Sequence, residues 1–321
     1  MKTAVVVVAD EKYLPAACCT VISCRRAGRV TEPIFVLVNS ASDNSIEAAR
    51  QFLNERGAAA EIICFHQDLS GYRNDRWISA ASNIRLHLDE VMESTWQRVL
   101  YLDADTRVLA PLAPLLQIDL AGRVLGAVDQ CIDLDGRVLG VVDQCGNNPD
   151  YLQRLSMAPD SRYFNSGVLL FDWPAILSSG LLAQSRRFAA ENPQFSKFLD
   201  QDALNNVFEG LWQPLNVRWN YGHRLMKRFP RERAFIKHYT YQYKPWGPRK
   251  RPVWIADAFW YWYILRGSPW PDFAHPITFR DLFKAARWWL SRIRSSESLS
   301  HRFSDDGLRR ESTRNTSLRE G

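Results

Sequence analysis

The sequence predicts an α/β protein: a doubly wound, mainly parallel mixed sheet flanked by helices, with a basic helical extension towards its C-terminal end. Two observations carry that prediction. Between Ala4 and Asp103, short apolar runs rich in β-branched residues alternate with helical stretches, in the order β-α-β-α-β-α-β. These runs are near-continuous, as in strands covered on both faces. No GxGxxG follows the first run, so dinucleotide binding of the dehydrogenase kind is disfavoured.

Taken in order, Ala4 to Ala9 reads as a first buried strand ending at Asp10, Leu14 to Cys24 as a helix and Pro33 to Val38 as a second strand. Ser42, Asp43 and Asn44 offer N-caps for a helix through Glu55, which Gly57 stops. Glu61 to Phe65 is a third strand, and Ser79 to Glu93 a helix with Ile84, Leu88 and Val91 on one face. The chain then reaches RVLYLDADTRVLAPL, Arg98 to Leu112, around which the rest is organised. Val99 to Leu102 is an apolar run closed by Asp103-Ala104-Asp105. In open α/β sheets ligands bind beyond the carboxyl ends of the strands, so Asp103 and Asp105 leave the sheet where a ligand is expected. Two carboxylates one residue apart can share a hard divalent cation, and a cation there suits a phosphorylated substrate. The plain alternative is a strand end capped by solvated acids. The D-x-D pattern alone discriminates little, because Asp133-Leu-Asp135 and Asp200-Gln-Asp202 repeat it.

Next comes a tandem copy. Ile118 to Cys131 reads IDLAGRVLGAVDQC and Ile132 to Cys145 reads IDLDGRVLGVVDQC, differing only at Ala121/Asp135 and Ala127/Val141. Two units make a local duplication, not a solenoid. The period is even, so both copies keep the same strand alternation and either could supply one core strand. Tyr163 to Asp172 (YFNSGVLLFD) looks like another strand, Pro174 to Glu191 is expected to be helical, and Asp200-Gln201-Asp202 opens a short helix through Phe208. Trp260 to Leu265 suits a buried helix or an interface patch. Phe279, Leu282, Phe283, Ala286, Trp289, Leu290 and Ile293 recur at helical spacing, with Arg280, Lys284, Arg287, Arg292 and Arg294 on the other faces. Such a helix suits the headgroup region of a membrane, or packs on the domain as a terminal helix. Ser295 to Gly321 is polar, rich in Ser and Arg, and expected to be disordered. The expected organisation is a catalytic domain over 1–265, split into halves at 1–112 and 113–265, a basic extension over 266–294 and a tail over 295–321.

The bulk properties narrow the function classes. A net charge of +6 on 321 residues implies attraction to anions: nucleotides, lipid headgroups or nucleic acid. No RRM, helix-turn-helix or zinc-finger pattern is present, so nucleic acid is not an expected partner. The six cysteines show no CxxC spacing, and reduced thiols in a cytosolic protein are the plainer reading. Ala4 to Ala9 is too short for a signal-peptide core, and no run of eighteen apolar residues occurs. The expected location is the cytoplasm, or the inner face of the cytoplasmic membrane.

Ala9-Asp10, Arg85, Asp103-Ala104-Asp105, Phe164-Asn165-Ser166-Gly167, Asp200-Gln201-Asp202 and His238 to Trp246 (HYTYQYKPW) follow one another along the chain. This ordered set resembles glycosyltransferase family 8, from about Thr3 to Trp246. The resemblance implies a GT-A fold, a UDP-hexose donor (UDP-galactose or UDP-glucose) and a manganese-dependent transfer that retains the anomeric configuration. At the matched positions Asp103, Asp105 and His238 would be the metal ligands. Two carboxylates with one imidazole suit Mn²⁺ or Mg²⁺, and the nitrogen tilts the choice to Mn²⁺. Cofactor binding would also involve Ala104 of the D-x-D motif and Lys244, which resembles the diphosphate-binding lysine. Asp10 would accept a hydrogen bond from uracil or ribose, or only cap the helix near Leu14. Arg85 would reach the donor, or is an ordinary helix residue. Asn165, Asp200 and Gln201 would line the sugar pocket, with Gln201 near the anomeric carbon and Asp200 on the hexose. The family has one VDQ-type strand whose Asp faces the site; Asp129 and Asp143 are both candidates here, with a lean to Asp143.

The implied acceptor is a glycan or glycolipid, such as a lipopolysaccharide core, and the implied second partner is an anionic membrane surface. Two rivals stand beside this reading. A haloacid-dehalogenase-type phosphatase needs Thr or Val two residues beyond the second Asp, and here Asp105 is followed by Thr106 and Arg107. A peripheral polysaccharide- or nucleotide-sugar-binding protein on an inactive transferase fold is the non-enzymatic one.

Overall fold

The sheet is built where the apolar runs lie. The computed structural model describes residues 1–66, 80–131, 148–192, 198, 200–240 and 244–291. The strands are β1 (Thr3–Asp10), β2 (Ile34–Asn39), β3 (Glu61–Phe65), β4 (Arg98–Asp103), β5 (Thr106–Val108), β6 (Leu125–Asp129), β7 (Phe164–Asp172), β8 (Trp212–Pro214), β9 (Tyr221–Gly222) and β10 (Ile236–His238). Seven form one sheet in the order β3-β2-β1-β4-β7-β6-β8, and three form a second, β5-β10-β9. In the large sheet β7 pairs antiparallel with both β4 and β6, and every other neighbouring pair is parallel. β1 is buried from Thr3 to Ala9, which accounts for its unbroken valine run.

The local signals explain the helices. Ser42 caps the helix Asp43–Glu55 by accepting from the Ser45 N–H, and Gly57 follows it at φ +63°. The expected helix Ser79 to Glu93 is instead a 3₁₀ stretch, Ala80–His87, followed by Leu88–Val91. Asn83 to Leu88 are all buried. With no exposed face over these residues, the spacing of Ile84, Leu88 and Val91 marks burial and not one face of an amphipathic helix. Pro174 to Glu191 is likewise two helices, Trp173–Ser179 and Leu181–Glu191, divided by Gly180 at φ +63°.

The first copy of the repeat supplies a core strand. β6 is Leu125–Asp129, all buried, between β7 and β8. The second copy, Asp143 included, lies outside the described residues. Between β6 and β7 the register jumps, Ala127 pairing with Leu169 and Val128 with Asn165. That irregularity frees Ser166 and Gly167 from the β6 ladder at the end of the sheet where Asp103 emerges.

The described chain divides into two compact units. One comprises Met1–Lys244 and Ile264–Phe273 and holds both sheets; the other comprises Pro245–Tyr263 and Ala274–Gly321. The helix Ile255–Leu265 buries Tyr261, Ile264 and Leu265 and exposes Phe259 and Tyr263, whose rings stack at 6.3 Å. A second helix, over 279–291, exposes Phe279, Leu282, Phe283 and Leu290, and Phe279 is 91% exposed. No described helix is long and apolar enough to cross a membrane.

Candidate active site

A short ladder assembles the metal-ligand candidates. β10 pairs antiparallel with β5, setting His238 opposite Thr106, and the Tyr239 N–H donates to the Asp105 carbonyl at 3.0 Å. The turn between β4 and β5 is held from beneath: the Thr20 hydroxyl lies 2.8 Å from the carbonyl oxygens of both Ala104 and Thr106. The Tyr101 hydroxyl donates to Asp103 Oδ1 at 2.6 Å. His238 Nε2 then stands 3.3 Å from Asp103 Oδ2 and 3.2 Å from Asp105 Oδ1. Ligand atoms of the three residues lie within 4.8 Å of one another, close enough to meet on one cation. Two carboxylates and an imidazole make a donor set suited to Mn²⁺ or Mg²⁺.

Two cations buttress these acids. Arg85, 5% exposed, bridges Asp103 (Nη2 to Oδ1, 2.8 Å) and Asp200 (Nε to Oδ2, 2.9 Å), and donates to the Ser166 carbonyl at 2.6 Å. Lys244 pairs with Asp105 and donates to the Tyr239 carbonyl at 2.7 Å. Burial works against every charge here, and the pairing overcomes it. Arg85 and His238 hold the Asp103 carboxyl below its ordinary range, and Lys244 and His238 do the same for Asp105. Burial likewise opposes the charged His238 ring, yet Asp105 and Asp103 keep its pKa up at about 9.

Gly167 makes the cluster possible. A Cβ there would fall 2.1 Å from His238 Cε1 and 2.7 Å from Asp103 Oδ2. No side chain fits that approach.

Asp200 and Gln201 open the helix Asp200–Val207 and are buried beside this cluster. Gln201 Oε1 accepts from Asn165 Nδ2 at 2.9 Å and from the Ser166 N–H at 3.1 Å. Its Nε2 donates to Gln130 Oε1 at 3.1 Å and to the Tyr163 hydroxyl at 3.2 Å. Asp103, Asp105, His238, Lys244, Arg85 and Asp200 are thus linked by direct contacts, and Ser166 joins Gln201 and Asn165 to them. Asp10 stands apart at the end of β1. It caps the turn Glu11–Tyr13, accepting from the Tyr13 N–H at 2.8 Å, and helps line a cleft of about 810 Å³ with Asn39 and Trp270. Asp129 is buried and occupied by the Cys131 N–H at 2.8 Å and Arg162 Nε at 2.7 Å. Sequence reasoning missed Tyr13, Tyr163, Ser166 and Asn220. Tyr13 feels Lys244 and Asp105 as well as Asp10, and its burial raises its pKa. Ser166 and Gly167 stood inside a motif already singled out; Asn220, in an ordinary-looking loop, carried no signal.

Two outcomes follow for the metal site. Gly167→Ala is expected to weaken divalent-cation binding at least tenfold by calorimetry while the far-UV circular dichroism stays unchanged; unaltered affinity would contradict the close approach. The His238 pKa, about 9, lies above the 6.5 or so of an unfolded histidine. In the metal-free protein its stabilising contribution is therefore full below about pH 6.5 and lost as pH rises through about 9. A cation must displace that proton, so affinity should climb between those limits by up to about tenfold per pH unit, with proton release visible in buffers of different ionisation heat. A flat profile over that range contradicts the assignment.

Comparison with known proteins agrees with this arrangement. Residues 4–249 match glycosyl transferase family 8. Glycosyltransferase GlyF of Streptococcus pneumoniae is 26% identical over 330 residues, covering 95% of this chain and 74% of that protein. The lipopolysaccharide 1,2-glucosyltransferase of Escherichia coli is 25% identical over 205 residues, covering 60% of this chain and 56% of that one. The crystal structure of the galactosyltransferase LgtC in complex with donor and acceptor sugar analogs superposes with a TM-score of 0.68 at 26% identity, covering 88% of this chain and 99% of that one. The expected GT-A architecture is therefore the one observed, and the rival phosphatase and non-enzymatic readings fall away. The chain belongs to glycosyl transferase family 8.

Proposed function

We propose that the protein transfers a hexose, galactose or glucose, from a UDP-sugar to a glycan acceptor, with retention of configuration and dependence on a divalent cation, Mn²⁺ before Mg²⁺. The observation that carries this is the convergence of Asp103, Asp105 and His238 within 4.8 Å, tied through Arg85 to Asp200. In this reading Asp103, Asp105 and His238 hold the cation, which when bound would neutralise the charge of the diphosphate leaving group. Lys244, beside Asp105, meets the remaining phosphate charge. Asp200 accepts hydrogen bonds from hexose hydroxyls, held in place by Arg85. Asp10 takes the nucleoside end.

Gln201 lies near the anomeric carbon in this scheme, but not as a nucleophile. Its carbonyl oxygen already accepts from Asn165 and from the Ser166 N–H. A covalent route would ask a weak nucleophile to abandon both. The acceptor hydroxyl instead attacks on the face from which the diphosphate leaves. The bond from C1 to the phosphate oxygen breaks, a bond from C1 to the acceptor oxygen forms, and the acceptor proton goes to the departing phosphate.

The acceptor we favour is a lipid-borne glycan of a lipopolysaccharide or other surface polysaccharide, reached from the inner face of the cytoplasmic membrane. The support is the helix over 279–291, which exposes Phe279, Leu282, Phe283 and Leu290 beside exposed Arg280, Lys284 and Arg287. Aromatic and aliphatic side chains among cations suit an anionic headgroup layer.

With a panel of nucleotide sugars and Mn²⁺, the enzyme is expected to hydrolyse UDP-galactose or UDP-glucose slowly without acceptor. Asp103→Asn or Asp105→Asn should lower that rate at least a hundredfold. Hydrolysis unaffected by chelation, or a glycosyl adduct trapped on Asp200 or Asp202, would defeat the scheme. For the membrane, the double substitution Phe279→Ser and Phe283→Ser should abolish co-sedimentation with vesicles containing anionic lipid, leaving donor hydrolysis intact; vesicle binding indifferent to both would rule this helix out.

A further inference from the structure

His238, Asn220, Asn165 and Gln201 form one uninterrupted chain of side-chain hydrogen bonds. His238 Nδ1 lies 2.9 Å from Asn220 Oδ1. Asn220 Nδ2 donates to Asn165 Oδ1 at 2.7 Å, and Asn165 Nδ2 donates to Gln201 Oε1 at 2.9 Å. Gln201 Nε2 continues to Gln130 Oε1 at 3.1 Å and to the Tyr163 hydroxyl, which itself donates to Asp202 at 2.6 Å. Asn165 is half-buried, and Gln201, Asn220 and His238 are 7%, 5% and 4% exposed.

The direction of this chain is forced. A backbone N–H can only donate, and an amide presents an acceptor on one side and donors on the other. The Ser166 N–H faces Gln201 at 3.1 Å, so the atom it meets is the carbonyl oxygen. The Gly167 N–H faces Asn165 at 3.1 Å, so that atom too is a carbonyl oxygen. Asn220 must then turn its nitrogen to Asn165, which leaves its oxygen towards His238. An acceptor at that distance requires a proton on Nδ1. The nitrogen left for a metal is Nε2, the one beside Asp103 and Asp105. Two peptide groups of β7 thereby decide, through two asparagines, which nitrogen of a distant histidine is available.

We propose that Asn220 is a positioning residue for the cation site: relayed from β7 through Asn165, it fixes His238 in the tautomer whose Nε2 faces the cation. Outer groups that orient a ligating imidazole typically contribute 10–100-fold to metal affinity. The relay also ties the metal site to the amide placed nearest the sugar, so rotating Asn220 disturbs Gln201 as well. The inference rests on the proposed metal role of His238, and the test keeps the two separable.

The first readout needs no metal. In ¹⁵N-histidine-labelled protein the His238 Nδ1–H, held by Asn220 Oδ1, should give a downfield proton resonance that exchanges slowly with solvent. In Asn220→Ala that resonance should be lost to exchange. The second readout is Mn²⁺ affinity by electron paramagnetic resonance. It should fall 10–100-fold in Asn220→Ala. In Asn220→Asp, which keeps an acceptor for Nδ1 but cannot donate to Asn165, it should recover to within about threefold of wild type. Donor hydrolysis in Asn220→Asp should stay depressed in kcat, because the link to Gln201 is still cut. A wild-type His238 with no protected Nδ1–H overturns the inference, as does an Asn220→Ala protein with the wild-type resonance and Mn²⁺ affinity. Wild-type protein that fails to bind Mn²⁺ but carries the proton on Nδ1 sinks the metal reading and leaves the relay standing. If Asn220→Ala melts well below wild type, Asn220→Asp and the wild-type tautomer decide the matter.

Discussion

His238 and the Asp103-Ala104-Asp105 turn come from distant parts of the chain, and three antiparallel register pairs between β5 and β10 join them. The approach of the imidazole to the two carboxylates depends on that short backbone ladder. Main-chain hydrogen bonds set its geometry, so the imidazole arrives beside the carboxylates at a distance the side chains cannot renegotiate. The Thr20 hydroxyl, docked on the carbonyl oxygens of Ala104 and Thr106, anchors the turn to the first helix. The space for the ring comes from the missing side chain at Gly167.

Electrostatics then decides what the site will accept. Three carboxylates (Asp103, Asp105, Asp200) meet three cationic groups (Arg85, Lys244, His238); Arg85, Asp200 and His238 are buried and the other three half-buried. Charges buried in this way are tolerated only when paired and hydrogen-bonded.

Much of this was legible in one dimension. The β-branched run to Asp103, the Ser42 cap, the glycine after Glu55 and the ordered motifs from Asp10 to Trp246 are local signals; the strands they mark are where expected, and Asp103, Asp105 and His238 converge. The rest needed partners no local pattern records. The stretch Ala80–His87 is 3₁₀, and from Asn83 to Leu88 the chain is buried with no exposed face. Asn220 looks like any loop asparagine until His238 and Asn165 are found on either side of it. Asp129, one of the two candidates for the aspartate facing the site, is engaged by Arg162 and the Cys131 N–H.

The reversed direction of β7 has one more effect. Because it runs against its neighbours, its start at Phe164 meets the end of β6 at Asp129. The connection between those two points therefore both leaves from and returns to the edge of the sheet where Asp103 emerges, and the second copy of the duplicated segment lies within it. Lengthening such a connection raises the entropic cost of closing it by well under about 1 kcal/mol. Length can thus be added there without moving a rung of the sheet.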